Sequence, residues 1–128
     1  MRKFSTTDQL QDVFVRLRTL YLPIAPIAVV LHDEPKRYLL GTCQVRPRDG
    51  YRVWFGGPAI TKTYVSAHLM PVYVHPLLLD GISPRLRMRM QGKACFNFKA
   101  LDEPLFTELG ALILAGAARF QADALLRP

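Results

Sequence analysis

The order of patterns over residues 64–105 constrains this chain more than any other feature. An apolar stretch with strand character, YVSAHLMPVYV, leads into HPLLLDGISPRLRMRMQGK, then a second strand pattern, ACFNFK, and then DEPL, which opens a helix. Ser83-Pro84 has the residue types of a helix start, with serine as N-cap and proline in the first turn. Gly92 stands where a helix reverses out through a left-handed residue. Alternation over residues 85–90 also suits a strand, but the caps favour a short helix. Ala94, Phe96 and Phe98 share one face of the next strand. Asp102 caps a long helix whose apolar stripe is Leu105, Leu109, Leu112, Gly116 and Phe120, and the small residues Gly116, Ala117 and Ala118 let it approach a sheet closely.

The first half reads as a helix followed by strands. Leu10, Val13, Phe14, Leu17, Leu20 and Tyr21 recur at helical spacing behind the possible N-caps Ser5, Thr6 and Thr7, and Pro23 ends the helix because it lacks an amide and clashes with the preceding turn. Residues 27–31 and 38–46 form strands around a turn at residues 33–36. Pro47-Arg48-Asp49-Gly50 supplies the fixed and the positive φ angles of a hairpin into a strand over residues 51–55, which Gly56-Gly57-Pro58 breaks. Residues 64–74 give one or two further strands, interrupted at Pro71. The expectation is a single α+β domain over residues 1–128, with helices at both ends packed on one face of a mostly antiparallel sheet of five or six strands.

A chain of 128 residues, half of them hydrophobic, is long enough to bury one core without disulfides or a structural metal. The longest apolar window, residues 20–31, contains two prolines and falls short of the roughly 20 residues that span a bilayer. Polar residues and Asp8 stand where a secretory signal needs an apolar stretch, so the expected location is the cytoplasm. Cys43 and Cys95 lie in apolar strand patterns without CxxC spacing and read as reduced packing residues. The net charge of +7 invites an anionic partner, but the basic residues are dispersed, and exposed charges are screened beyond about 8 Å at physiological salt.

Candidate sites follow from strand alternation. On the strand starting at Tyr64, the side chains of Tyr64, Ser66, His68 and Met70 share one face, while Val65, Ala67 and Leu69 belong under the helices. Arg52 and Trp54 alternate with Tyr51, Val53 and Phe55 in the same way. The open face thus collects Arg52, Trp54, Tyr64, Ser66 and His68 as a surface for a protein partner or small ligand, since Trp and Arg dominate binding hot spots. Arg85 and Arg89, one turn apart on the short helix, with Lys93 nearby, form a candidate anion site. His32-Asp33-Glu34 reads as a solvated turn rather than a metal site, because adjacent side chains diverge. Zinc-finger and helix-turn-helix spacings and any basic groove interleaved with aromatics are missing, which argues against specific nucleic-acid recognition. Ser66 and His68 have no orienting carboxylate or glycine-rich oxyanion turn in sequence, and phosphate-loop and dinucleotide fingerprints are absent, so neither an enzyme nor a cofactor is expected.

YVSAHLMPVY, ISPRLRMRMQGKACFNFK and DEPLF together resemble the C-terminal half of small bacterial proteins of the YdhG-like type, largely of unknown function. The resemblance covers about a third of the chain, and the first half matches only in its order of elements. It implies a frataxin-like α-β-α sandwich, and some members of the family are linked to iron handling for iron–sulfur assembly. Frataxins carry an acidic ridge on the first helix and neighbouring strand, whereas this chain has Asp8 and Asp12 beside Arg16 and Arg18 there. Two carboxylates allow weak iron loading and not tight loading, because hard cations take several oxygen ligands. No binding residue carries over from the family. The leading expectation is a non-enzymatic partner- or ligand-binding domain in iron–sulfur housekeeping, with an anion- or nucleic-acid-binding module as the alternative.

Overall fold

The computed structural model describes residues 6–128. Helix α1 (Thr6–Tyr21) begins the described chain; Ser5 and the side chains of Thr6 and Thr7, expected as N-caps, lie outside the described residues. A 3-10 turn, Leu22–Ile27, follows as Pro23 and Pro26 require, and delays the first strand to β1 (Val29–Glu34). Strands β2 (Arg37–Val45) and β3 (Arg52–Ile60) form the expected hairpin, with Gly50 at φ +72° in its turn. Then come β4 (Val65–Leu69), a short helix α2 (Met70–Val74), a 3-10 turn Pro76–Leu79, the single-turn helix α3 (Pro84–Arg87), β5 (Met90–Gln91), β6 (Cys95–Phe98) and α4 (Glu103–Ala122). Among the described residues the sheet has six strands in the order β1-β2-β3-β4-β6-β5, and every pairing is antiparallel. No helix among them is long and apolar enough to cross a membrane.

Both long helices bury their stripes against one sheet face. Val13, Phe14, Leu17 and Tyr21 of α1 and Leu105, Leu109, Ile113 and Phe120 of α4 meet Leu40, Phe55, Val65, Ala67, Leu69, Phe96 and Phe98 in one cluster. Phe106 stands edge-on to Phe98 with ring centroids 5.0 Å apart. Asp102 caps α4, its side chain accepting from the Leu105 amide at 3.3 Å. Gly116 makes its close approach to Pro71 of α2, where an added Cβ would lie 2.9 Å from the Pro71 Cβ; Ala118 faces solvent rather than the sheet.

Several expectations are corrected. Gly56-Gly57 does not break β3. Gly56 and Gly57 have φ of +146° and +159°, and an added Cβ would lie 2.0 Å from the His68 carbonyl oxygen or 1.9 Å from that of Tyr38. Bare backbone is what lets β3 pass between its neighbours there. The pairing of Leu40 with Gly56 and of Gly41 with Trp54 leaves Phe55 as an extra residue, a bulge at this point. Residues 70–74 are helical rather than extended, because Pro71 falls in the first turn, where its missing amide costs nothing. Ser83 caps α3 as expected, accepting from the Leu86 amide at 3.1 Å, but the helix closes at Arg87, and Gly92, φ +72°, turns the β5–β6 hairpin instead of ending a helix. Residues 33 and 34 belong to β1 rather than to a turn: Asp33 meets Arg18 at 3.1 Å, while His32 faces Glu34 at 3.4 Å. Cys43 is exposed and Cys95 half-buried, both as free thiols, so neither is a core residue.

Candidate functional site

The sheet face turned away from the helices is built by register. Gly57 lies opposite His68, and Ala59 opposite Ser66, across β3–β4. His68 in turn faces Cys95, and Ser66 faces Asn97, across β4–β6. The bulge at Phe55 keeps that side chain in the core while bringing Trp54 onto the same face as His68, and their rings meet edge to face at 5.8 Å. Arg37 holds its guanidinium 5.8 Å from the Trp54 ring centre. Leu39, buried outside the helix-side core, joins them. These side chains border a shallow groove of about 220 Å³ lined by Arg37, Trp54, Gly57, Ser66, His68 and Cys95. Gly57, which lacks a side chain, lines the groove where β3 presses against the Tyr38 carbonyl of β2.

His68 is the most constrained group here. From the helix side, the buried Tyr21 hydroxyl donates to the His68 carbonyl at 2.6 Å and ties α1 to β4. Burial also pushes the Tyr21 hydroxyl far above its ordinary range and keeps it protonated. The His68 imidazole Nδ1 lies 3.4 Å from the Cys95 Sγ, and burial lowers the imidazole's pKa, favouring the neutral ring. Among the described residues the buried side-chain polar atoms without a hydrogen-bond partner are His68 Nε2 and Asn97 Oδ1, both on β4–β6. Such atoms are rare in folded proteins and ask for an explanation.

The structure therefore gathers Trp54, Ser66 and His68 of the five residues expected on this face. Arg52 lies toward the hairpin end, donating to the Thr42 carbonyl at 2.9 Å, and does not border the groove. Tyr64 borders a separate depression with Asn97, Arg89 and Lys99. Arg37, Leu39, Gly57 and Cys95 escaped sequence reasoning. Their shared face depends on strand register, and Cys95 carried the burial signature of any apolar strand residue.

The anion candidates divide differently. Arg85 and Arg89 border a cleft of about 360 Å³ together with Lys99 and Asp102, but Arg89 lies beyond the end of α3. Arg85 pairs with Asp102 at 3.0 Å. Lys93 is not part of this cleft: the β5–β6 turn carries it away to the Tyr73 ring, 6.0 Å from its centre. Among the described residues no three His, Cys, Asp or Glu side chains gather where a metal ion could be held. No family model, curated protein or solved structure matches the chain.

Proposed function

We propose that the chain is a non-enzymatic binding domain whose open sheet face holds a partner protein, with Trp54 and His68 at the centre of the contact. The observation that carries this reading is His68 Nε2, buried without a partner beside a half-exposed Trp54 on the face neither long helix covers, with Asn97 Oδ1 likewise unpartnered in the depression that Tyr64 borders on that face. A partner that reaches these atoms gains hydrogen bonds whose absence costs roughly 1–3 kcal/mol each. Groove size favours a protein over a small molecule. About 220 Å³ falls below the roughly 300–1,000 Å³ of small-ligand pockets, but suffices for one inserted side chain. Trp54 and Arg37 are the residue types that anchor such contacts. The resemblance to YdhG-like proteins favours a partner in iron–sulfur housekeeping, with this chain holding the partner rather than the iron.

A second reading has its own support. Among the described residues the side chains of Arg89 and Lys99 have no ion-pair or hydrogen-bond partner, and they share the cleft with Arg85. Replacing Lys93 by Lys99, this makes an anion site the alternative. One experiment separates the two: affinity capture with the wild-type chain, W54A and R89E, at low and high salt. The first reading expects a partner lost with W54A and retained by R89E with little salt dependence. Loss with R89E and steep salt dependence would move the function to the basic cleft, and retention of every partner by W54A would remove the open face from consideration.

A further inference from the structure

A nucleophile and a base are placed side by side on the open face. Cys95 and His68 are directly opposed across two paired strands, so their 3.4 Å contact is set by backbone register rather than by a mobile loop. Cys95 is partly exposed and borders the groove, which gives a small reagent access to its sulfur. The imidazole makes no hydrogen bond through Nε2, so no carboxylate holds it as an imidazolium, and in the tautomer with its hydrogen on Nε2 the Nδ1 that faces Cys95 can take a proton. Arg37 at the rim and the net charge of +7 attract reagents that carry carboxylates. Cys43 provides an internal contrast. It is the more exposed residue, and its sulfur lies 3.8 Å from the Ile27 carbonyl oxygen with no histidine hydrogen-bonded to it among the described residues.

We propose that Cys95 is a thiol-modification site at which His68 Nδ1 accepts the thiol proton while the sulfur attacks a low-molecular-weight, carboxylate-bearing disulfide. One sulfur–sulfur bond forms, between Cys95 and half of the reagent. The reagent's own sulfur–sulfur bond breaks, and its other half leaves as a thiolate that takes the proton from His68. Cys95 is oxidised, the departing half is reduced, and the balance closes. The neutral imidazole that burial favours is the form able to act as this base. The adduct would stand in the groove beside Trp54, so modification and partner binding compete for one surface.

The full reduced chain, with no partner present, is exposed to oxidised glutathione, and the mixed disulfide at each cysteine is followed by peptide mass spectrometry. Cys95 is expected to react at least about tenfold faster than Cys43, and H68Q to slow Cys95 on the order of 100-fold while leaving Cys43 unchanged. C43S, which removes the other thiol from an exposed strand position outside the groove, is expected to keep the Cys95 rate within about twofold, well short of a lost general base. Faster reaction at Cys43, an inert Cys95, or equal rates in wild type and H68Q would overturn the proposal. Since no partner takes part, an unreactive Cys95 leaves the binding reading intact, and a failed capture experiment leaves this one intact.

Discussion

The two faces of one sheet differ in how they treat polar atoms. On the helix side the strands contribute Leu40, Phe55, Val65, Leu69 and Phe96, all fully buried, and the buried Tyr21 and Thr42 hydroxyls each find a carbonyl, those of His68 and Val53. On the open side the same strands carry Trp54, Ser66, His68, Cys95 and Asn97, and two polar atoms are buried without a partner. Stability accounts for the first face, since satisfied polar groups and continuous apolar packing are what a core requires. It does not account for the second. Unsatisfied atoms on the same face as a half-exposed tryptophan are a cost that a bound partner would offset.

The comparison can be broken by substitution on either side. The largest effect is expected from F106A, which removes a fully buried ring from the helix-side core and should cost about 3–5 kcal/mol in urea unfolding. A loss under about 1 kcal/mol would mean that the α4–sheet contact is not the main core. Next comes G57A, on the open face. Its added Cβ would meet the Tyr38 carbonyl oxygen at 1.9 Å in a backbone conformation that side chains rarely adopt, so a loss of about 3 kcal/mol is expected by the same assay. A neutral outcome would show that β2 and β3 do not approach so closely. The smallest effect is the pH dependence from His68. Its folded-state pKa lies below the ordinary 6.5, so on acidification the unfolded chain binds its proton first, and stability declines as pH falls from about 6.5 toward the lowered value. H68Q should flatten that part of the stability profile, and an unchanged slope would place the titration elsewhere.

Legibility in the sequence tracks how local the deciding interaction is. The α1 stripe, the Asp102 and Ser83 caps and the turn at Gly50 depend on residues within a few positions of each other, and each appears where pattern and turn chemistry place it. Pro71 and Gly56-Gly57 misled for the opposite reason. Proline is compatible with a helix's first turn as well as with a strand interruption, and a glycine pair suits a close strand crossing as well as a chain break. Half of the candidate site was accessible in the same way. Ser66 and His68 share a face by period two within one strand, and Trp54 lies opposite the buried Phe55. Arg37 and Cys95 come from other strands, and nothing local states which residues they will oppose.

By itself the sequence determined the periodic elements: two amphipathic helices at the ends, apolar strands between them, and the caps and turns that separate them. These depend on backbone hydrogen bonding and side-chain spacing over a few residues. Only the tertiary structure decided that His68 opposes Cys95, that Arg37 borders the same groove, and that Lys99 rather than Lys93 joins Arg85 and Arg89. Those juxtapositions are fixed by strand register and chain reversal, in which a shift of one residue exchanges the two faces of a strand.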